Sequence, residues 1–348
     1  MRIILSGGVT IGSVTPLIAI YQEIKSRQPD TEFLWLATKN GPEIKLVSSY
    51  QIPVRAISAG KFRRYFSFRN FFDPFSVIVG FFQSLFIIAK FKPQAILSAG
   101  GFVSVPVIWA GWLSKRPCLI HQQDVLAGLA NKLMAPFANI ITVTFEKSLN
   151  DFPAKKTKWV GNPVRQDILA GSKEEGYNYF KLDPCLPTIL VMGGGTGAAN
   201  LNQLIFGGLQ DLVQFCQVIH LTGGRIEKEA VHSRYHSYEF LTDQLKNAYA
   251  AADLVVSRAG LASLTEIAVL RKPAIIIPMF SSHQEKNAME FFRHNAIALL
   301  NEKDLNSQNL VAAIRQLLAD KAEQINLSKN LALMMPTDAS QKIADMIL

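Results

Sequence analysis

Short apolar runs rich in β-branched residues alternate with segments of helical period along the whole chain. The runs lie at 2–5, 33–37, 54–57, 95–98, 118–121, 140–144 and 158–160, and then at 188–192, 217–222, 253–257, 274–278 and 297–300. Strands that alternate with helices indicate a parallel sheet covered by helices on both faces. The pattern therefore predicts an α/β protein with two Rossmann-like, doubly wound parallel-sheet domains.

The predicted domain boundary lies at a turn signal near the middle of the chain. Residues 161–165 read Gly-Asn-Pro-Val-Arg and follow the last apolar run of the first half, and an Asn-Pro step is typical of a turn. We expect an N-terminal domain at 1–162, a C-terminal domain at 163–336, and a final amphipathic helix at 337–348 that packs back on the first domain. The polar segment 171–187 is expected to be a linker or loop.

Three glycine-rich turns follow apolar runs directly, at residues 6–13, 98–102 and 193–198. Glycine allows a sharp turn and a close approach of the backbone to a ligand. A helix that begins after such a turn directs its free N–H groups and its positive dipole end at an anion. The turns therefore predict phosphate binding in two α/β domains, although each of them also fits a plain strand-to-helix turn.

Charge is distributed unevenly between the halves of this 348-residue chain, whose net charge is +9. Residues 1–162 hold 19 Lys and Arg against 8 Asp and Glu, whereas residues 163–348 hold 17 against 19. A basic half predicts an anionic partner, such as lipid headgroups, a phosphate-bearing substrate or nucleic acid. The three cysteines show no metal or disulfide spacing, and no secretory signal is visible, which favours a reducing compartment.

A basic and aromatic segment at 61–72 precedes an uncharged run at 75–89. The run has about fifteen residues and is shorter than the roughly 20 that span a bilayer. Rings and cations together fit single-stranded nucleic acid, an anionic membrane surface, or a protein core. The apolar run favours the membrane, and we expect no nucleic-acid partner. The predicted membrane-binding residues are Lys61, Arg63, Arg64, Arg69, Phe81 and Phe82.

In the second half, polar residues follow two strand ends. Glu266 lies in the helix after the strand at 253–257, where a carboxylate can accept hydrogen bonds from a ribose diol. His283, Gln284 and Asn287 follow the strand at 274–278, and such side chains suit sugar hydroxyls because they both donate and accept. The alternative interpretation is an ordinary polar helix start capped by a serine.

In the first half, His121 ends a strand and is followed by Gln122 and Asp124, as in the wall of a site. His232 and His236 have the spacing of a helical metal pair, but no third ligand is evident, so the sequence predicts no metal. The chain has no Walker A lysine, and its first glycine turn departs from the dinucleotide fingerprint, which disfavours a dehydrogenase.

Taken in chain order, these motifs resemble those of the MurG family of GT-B glycosyltransferases. Residues 161–165 carry the family's G-N-P-V-R motif intact, and His283, Gln284 and Asn287 match its H-Q-x-x-N-A motif. The other resembling segments are residues 7–16, 100–106, 121–124, 193–198 and 257–266. The family transfers N-acetylglucosamine (GlcNAc) from UDP-GlcNAc to undecaprenyl-pyrophosphoryl-muramoyl-pentapeptide (lipid I). The product is lipid II of peptidoglycan synthesis, made at the cytoplasmic face of the plasma membrane.

The resemblance implies a role for each matching residue. Gly194, Gly195 and Thr196 would meet the UDP phosphates, Glu266 would take the ribose hydroxyls, and His283 with Gln284 would hold the GlcNAc hydroxyls. It also implies donor roles for Thr10, Gly12, Arg165 and Asn287, and acceptor roles for Gly100, Gly101 and Gln122. It implies UDP-GlcNAc and a polyprenyl-pyrophosphate lipid as substrates and a peripheral position on the membrane. The sequence itself predicts no cofactor and no metal.

The acceptor half departs from the family's motifs. Ser13 stands in place of a histidine, Gln122 of a glutamate and Asp124 of an asparagine. Histidine is a natural general base near neutral pH, and an unaided serine is not. The candidate catalytic residues are therefore Ser13, His121 and Asp124. Two alternatives are transfer to another lipid acceptor and a non-catalytic protein that binds nucleotide sugars at the membrane.

Overall fold

The computed structural model describes residues 1–8, 11–39, 41, 43–60, 69–193, 198–224 and 232–348, apart from the side chains of 11 and 69–74. The chain forms two compact units. The first comprises Met1–Arg165 together with Thr337–Leu348, and the second comprises Gln166–Pro336. The whole segment 161–165 thus belongs to the first unit, whereas the sequence-based boundary lies at 162.

The strands and helices alternate along the described chain. The strands are β1 (Arg2–Ser6), β2 (Glu32–Thr38), β3 (Val54–Ile57), β4 (Ala95–Ser98), β5 (Cys118–Gln122), β6 (Ile140–Val143), β7 (Thr157–Trp159), β8 (Thr188–Met192), β9 (Gln217–Leu221), β10 (Tyr235–Tyr238), β11 (Leu254–Ser257), β12 (Ala274–Ile276) and β13 (Ala298–Leu299). The α-helices are α1 (Thr15–Arg27), α2 (Glu43–Ser49), α3 (Arg69–Phe91), α4 (Ser104–Leu113), α5 (Leu129–Met134), α6 (Gln166–Leu169), α7 (Lys173–Phe180), α8 (Ala199–Gly207), α9 (Leu209–Leu212), α10 (Leu245–Ala251), α11 (Leu261–Val269), α12 (His283–Arg293), α13 (Ser307–Ala319), α14 (Lys321–Met334) and α15 (Ala339–Asp345). Short 3₁₀ helices lie at Ile11–Ser13, Ala135–Phe137, Glu146–Asp151, Ala154–Lys156 and Glu302–Asp304.

The first unit is built on a seven-stranded sheet in the order β3-β2-β1-β4-β5-β6-β7, and every pair in it is parallel. Successive residues of a strand point to opposite faces. Accordingly, Ile3 and Leu5 belong to one buried cluster and Ile4 belongs to the other. Ile343 and Ala344 of α15 complete the cluster of Ile3 and Leu5, so the C-terminal helix packs within the first unit.

The second unit is built on a six-stranded parallel sheet in the order β10-β9-β8-β11-β12-β13. The sheet order reverses at β8, and ligands of such sheets bind beyond the carboxyl ends of the strands near a reversal of this kind. The predicted α/β class with two doubly wound sheets is confirmed.

Two sequence-based expectations about the elements were wrong. The strand β10 was missed because its sequence, Tyr-His-Ser-Tyr, lacks an apolar run. The segment 171–187 is not a linker, because it contains α7. The Ser172 hydroxyl oxygen caps α7 by accepting from the Glu175 N–H at 3.2 Å, and Phe180 anchors its end in the core. Most residues of this helix are polar and not buried, so its sequence did not indicate a buried side.

Among the helices of the described residues, none combines the length and the hydropathy that a membrane crossing needs.

Candidate active site

The carboxyl ends of β8, β11 and β12 are neighbours in the second unit, and most predicted donor residues follow them. The turn after β8 includes Gly194, Gly195 and Thr196, which lie outside the described residues. Their phosphate-binding role therefore stays a prediction. The described side chains that follow β11, β12 and β13 indicate what this edge of the sheet can bind.

Glu266 is held beside the end of β8 by a tyrosine that the sequence analysis missed. The fully buried Tyr249 donates its hydroxyl hydrogen to Glu266 Oε2 at 3.0 Å, and its oxygen lies 3.1 Å from the sulfur of Met192, the last residue of β8. A charge-assisted hydrogen bond of this kind fixes a carboxylate in one orientation. Glu266 is thus held near Met192 at the end of β8, and its role as a ribose ligand stays a prediction.

The N-terminus of α12 presents His283 and Gln284. The Ser282 hydroxyl oxygen accepts from the Gln284 N–H at 3.2 Å, and Gln284 Oε1 accepts from the Met279 N–H at 3.1 Å. His283 is exposed, so its ring is accessible to a ligand. The positive end of the helix dipole adds attraction for anionic or oxygen-rich groups.

Asn287 differs from the sequence-based prediction. It is fully buried, and its amide donates to the carbonyl of Ala259 at 3.4 Å. Asn287 thereby joins α12 to the turn after β11. Its position favours a structural role over direct contact with the sugar.

Glu302 is a second residue of this edge that sequence reasoning missed. It forms a buried ion pair with Arg258, and its carboxylate also accepts from the Phe280 N–H at 2.8 Å and from Asn200 Nδ2 at 3.1 Å. Burial by itself would raise the pKa of Glu302, but the hydrogen bonds from Arg258, Phe280 and Asn200 outweigh it and lower the pKa. One carboxylate thus connects segments that follow β8, β11 and β12. The only signal in the sequence was an acidic residue in a polar turn after a strand.

In the first unit the two glycine turns lie against each other. Gly101 has a φ of +88°, and a Cβ there would lie 2.7 Å from the carbonyl oxygen of Gly8. Gln123 Nε2 donates to the carbonyl of Ala99 at 3.0 Å, which attaches the segment after β5 to the same edge. The predicted acceptor residues Gly100 and Gly101 therefore lie at the carboxyl ends of β1, β4 and β5. Gly12 lies in the 3₁₀ turn before α1, and Thr10 lies outside the described residues.

Ser13 is not placed as a general base. It is 7% exposed, and its hydroxyl donates to the carbonyl oxygen of Gly8 at 3.1 Å. A hydroxyl whose hydrogen is held by a carbonyl stabilises the turn and does not withdraw a proton from a substrate.

The sequence analysis also missed Glu43, a fully buried carboxylate at the same edge. Its Oε1 accepts from the backbone N–H of Thr38 at 2.9 Å and from the Thr38 hydroxyl at 2.6 Å, and it lies against Gly8. A side chain at position 8 would collide with this carboxylate. Glu43 thus explains why the first turn needs glycine there.

His121 is a buried positioning residue, contrary to its predicted catalytic role. Its Nδ1 lies 3.0 Å from the Thr142 hydroxyl and its Nε2 lies 2.9 Å from Asn162 Oδ1, so both ring nitrogens have partners. Burial lowers the pKa of His121 to about 4, and the hydrogen bond with Asn162 opposes that shift only in part. A neutral ring that is fully buried orients Asn162 of the 161–165 segment.

Gln122 is likewise a structural residue and not an exposed acceptor ligand. Its Nε2 donates to the carbonyls of Asp124 at 2.8 Å and Leu126 at 3.0 Å, and its Oε1 accepts from Asn131 Nδ2 at 2.7 Å. It is 2% exposed. The amide therefore fixes the segment between β5 and α5, a task that a glutamate could not perform through the same donors.

Asp124 and Arg165 complete the predicted set. Asp124 is half-buried just beyond the end of β5, at the same edge as the glycine turns. It is therefore the strongest of the three candidate bases. Arg165 is buried at the end of the first unit, where its Nη1 donates to the Tyr50 hydroxyl at 3.2 Å. Its predicted donor role stays a prediction.

The predicted membrane residues have different environments. Lys61, Arg63 and Arg64 lie outside the described residues, and Arg69 begins α3 with its side chain undescribed. Phe82 is 63% exposed. Phe81 is half-buried against the core on the β4 side, so it supports the helix more than it meets solvent. The exposed apolar side chains of α3, here called the α3 stripe, are Phe75, Ile78, Val79, Phe82 and Phe86.

No group of three His, Cys, Asp or Glu side chains in the described residues is arranged to hold a metal ion. His232 and His236 do not share a helix, because His236 lies in β10 and His232 forms an isolated bridge beside it.

Comparison with known proteins identifies the family. The N-terminal domain of glycosyltransferase family 28 matches residues 3–143, and the C-terminal domain of that family matches residues 188–343. The chain belongs to glycosyltransferase family 28. The matched C-terminal domain contains Glu266, His283 and Glu302. The matched N-terminal domain contains Gln122 and Asp124.

Relatives with curated names cover nearly the whole family 28 chain. A protein of Lachnospira eligens is 36% identical over 336 residues, 94% of each chain. A protein of Bacillus cereus is 35% identical over 322 residues, 91% of each chain. Both are named UDP-N-acetylglucosamine–N-acetylmuramyl-(pentapeptide) pyrophosphoryl-undecaprenol N-acetylglucosamine transferase, the second with the numeral 2.

Solved structures support the fold. The crystal structure of Acinetobacter baumannii MurG aligns with a TM-score of 0.72 and 23% identity, covering 99% of this chain and 98% of that one. A UDP-GlcNAc 2-epimerase from Neisseria meningitidis, solved with bound UDP-GlcNAc, aligns with a TM-score of 0.72 and 14% identity over 100% and 99% of the two chains.

Proposed function

We propose that this family 28 chain transfers GlcNAc from UDP-GlcNAc to lipid I and so forms lipid II for peptidoglycan. The observation that carries the proposal is the oriented Glu266 carboxylate beside the end of β8, in a chain whose relatives bear the name of that transferase. The resemblance of seven motifs in family order supports the same reaction.

Donor recognition is assigned to the second unit. Glu266, held by Tyr249, accepts hydrogen bonds from the ribose hydroxyls. His283 and Gln284, at the start of α12, bind the GlcNAc hydroxyls. Backbone N–H groups of the turn at 193–198 bind the pyrophosphate. Hydrogen-bond donors that are in place before the reaction stabilise developing charge without the cost of reorientation.

The transfer is a single displacement with inversion. The acceptor hydroxyl oxygen attacks the anomeric carbon from the side opposite UDP, the new C–O bond forms, and the bond to the pyrophosphate oxygen breaks. The electron pair of that bond leaves with UDP. The hydroxyl proton passes to a general base, for which we propose Asp124. No metal or organic cofactor is required in this scheme.

Membrane association belongs to the first unit in this proposal. The acceptor carries a polyprenyl chain, so the enzyme has to work at a membrane surface, which we place at the cytoplasmic face of the plasma membrane. The α3 stripe and the excess of Lys and Arg in residues 1–162 support docking on anionic lipid. Apolar side chains enter the interface while cations meet lipid phosphates.

The decisive experiment measures UDP release from UDP-GlcNAc with and without a lipid I analogue. Release that depends on the analogue supports the proposal, and release that is equal in its absence contradicts it. For the donor site, Glu266→Ala is compared by calorimetry with Glu174→Ala, an exposed glutamate of the same unit. Loss of charged hydrogen bonds costs about 1.5–3 kcal/mol. We therefore expect UDP affinity to fall only in Glu266→Ala, and unchanged affinity there would refute the donor assignment.

A second candidate keeps the donor and changes the lipid acceptor. The internal hydrogen bonds of Ser13 and Gln122 favour it, because they show an acceptor edge built differently from the family motif. Radiolabelled UDP-GlcNAc offered in parallel with lipid I and with diacylglycerol separates the two candidates. UDP release with either acceptor excludes a purely binding protein.

A further inference from the structure

The first unit contains a cavity of about 590 Å³ at the end of its sheet opposite the glycine turns. Its walls come from the starts of β1 and β2, the segment before β3, and the C-terminal parts of α1 and α3. The volume lies within the range of about 300–1,000 Å³ that is usual for small-molecule sites. Six apolar side chains line it, namely Phe33, Leu34, Ile52, Phe86, Ile87 and Phe91.

The cavity arises from the short edge strand β3. Pairing between β2 and β3 begins at Trp35 and Val54, with the Trp35 N–H donating to the Pro53 carbonyl at 2.8 Å. Proline has no N–H to extend this ladder toward the start of β2. The edge of β2 at Phe33 and Leu34 therefore borders a recess where a longer neighbour would lie.

Four cations and two carboxylates, Asp30 and Glu32, surround the apolar walls, and Glu32 pairs with Arg2 at 3.8 Å. Arg2 and Lys25 are engaged, because Arg2 donates to the Phe91 carbonyl at 2.8 Å and Lys25 donates to the Pro29 carbonyl. Arg55 and Lys90 also line the cavity, are exposed, and form no ion pair within the described residues. Two such cations beside an apolar recess complement a ligand with an anionic head and an apolar body.

The cavity is continuous with the α3 stripe through Phe86, which is 70% exposed and lines the cavity as well. At 100° per residue the five side chains of the stripe fall within an arc of about 100°, and Phe75 and Phe86 are separated by about 16 Å along the helix. A surface that contacts the α3 stripe along its length thus reaches the mouth of the cavity.

We infer that this cavity holds one acyl chain of an anionic phospholipid, with the lipid phosphate bound by Arg55 and Lys90. The inference rests on the proposed membrane association and adds a discrete lipid site to it. The site lies at the amino ends of β1 and β2, whereas the predicted acceptor residues lie at the carboxyl ends. Its occupant is therefore a resident membrane lipid and not the substrate.

The test uses phosphatidylglycerol with a photoreactive diazirine at the end of one acyl chain, mixed into phosphatidylcholine vesicles. After irradiation of the full-length protein, labelled residues are mapped by mass spectrometry. We expect labels on 33–34, 51–53 and 86–91. Labels confined to the outward face of α3, or spread evenly over both units, would overturn the inference.

Two variants and one control sharpen the result. Ile87→Trp fills the cavity and should abolish labelling of 33–34 and 51–53. Leu333→Trp, an 85% exposed position in the second unit, adds the same ring elsewhere and should leave the labelling unchanged. Thermal unfolding verifies that Ile87→Trp is folded. The double variant Arg55→Gln/Lys90→Gln should lose the preference for phosphatidylglycerol over the same probe with a phosphocholine head.

Failure of the proposed membrane association can be separated from failure of this inference. A short-chain form of the phosphatidylglycerol probe is offered as monomers, without vesicles. Cavity labelling by monomers sustains the lipid site even where the protein does not bind vesicles, and in that case only the docking proposal fails. Absence of cavity labelling in both formats refutes the lipid site.

Discussion

Polar residues at the carboxyl edges of the two sheets have different roles. In the second unit, the buried Tyr249 orients Glu266, and Ser282 caps the helix that presents the exposed His283. In the first unit, Ser13, His121 and Gln122 are themselves the supports, because their polar atoms bond to neighbouring segments. Burial does not separate the two roles, because Glu266 and Ser13 are 6% and 7% exposed. The hydrogen-bond partners of a polar residue separate a candidate ligand group from a scaffold, and its position at a strand end does not reveal them.

Two buried histidines, one in each unit, also act as supports. His121 bonds to Asn162 in the first unit, and His220 lies 3.1 Å from Asn202 Oδ1 and 2.9 Å from the Tyr235 hydroxyl in the second. Burial lowers the pKa of both rings to about 4. The sequence suggested catalysis only for His121, yet both rings are neutral connectors within a core.

The largest effect that would test this contrast is on the rate of transfer. Asp124→Asn removes the proposed base of the acceptor edge, and loss of a general base lowers rates about 10²–10⁴-fold. We expect kcat to fall by that order while UDP affinity is unchanged, and Ser13→Ala to retain most activity. Steady-state UDP release measures both. A slow Ser13→Ala enzyme beside a normal Asp124→Asn enzyme would reverse the assignment.

The pH dependence of stability tests the two buried histidines. Their folded pKa values of about 4 lie below the ordinary value of 6.5, so the unfolded chain binds more protons between these pH values. Stability should therefore be complete above pH about 6.5 and fall as the pH drops toward 4, by about 3 kcal/mol for each ring. Thermal unfolding across this range measures the slope, and His121→Gln and His220→Gln should each reduce it. An unchanged slope in both variants would contradict the neutral-core assignment.

Glu302→Gln tests whether Glu302 holds together the carboxyl edge of the second sheet, where most predicted donor residues lie. The change leaves the buried Arg258 without its counter-charge while keeping the side chain's size. Hydrogen bonds to charged groups contribute about 1.5–3 kcal/mol, so we expect a loss of about 2 kcal/mol in unfolding free energy. The KM for UDP-GlcNAc should rise more than kcat falls, because the segments after β8, β11 and β12 lose their common partner. Asp304→Asn, an exposed acid of the same 3₁₀ turn, is the matched control. Equal effects of both variants would show that only net charge matters.

The smallest expected effect concerns Gln122→Glu, which restores the residue of the family motif. A carboxylate cannot donate to the carbonyls of Asp124 and Leu126, and unmet bonds of buried groups cost about 1–3 kcal/mol each. We expect the net loss to lie near the lower end, about 1 kcal/mol, because Asn131 can still donate to the new side chain. Thermal unfolding compares it with Gln28→Glu, the same change at an exposed position. A more stable Gln122→Glu protein would show that the first unit retains the family's arrangement.

Much of the architecture follows from local pattern. Apolar runs located twelve of the strands, and glycine turns located the edges where sites form. We missed β10 because it contains no aliphatic residue, and we missed α7 because only one of its faces is buried. These elements are stabilised by tertiary contacts that a short window of sequence does not contain.

The partners of the candidate site were beyond prediction for the same reason. Glu302 meets Arg258 across 44 residues of sequence, and His121 meets Asn162 across 41. Each residue has an ordinary local sequence, and only the fold brings the pairs together. Glu266, by contrast, could be named early because its motif and its place after a strand occur in one short segment.

The return of the chain to the first unit determines how the protein can be divided. Residues 1–165 and 337–348 belong to that unit, so residues 166–336 form an uninterrupted segment that begins and ends at crossings between the units. A fragment 1–165 would lack Ile343 and Ala344. It would therefore expose the apolar surface beside α1 on which α15 packs. The donor half can therefore be produced by simple truncation at two points, whereas the acceptor half needs its last twelve residues rejoined to it, for example through a short linker in place of 166–336.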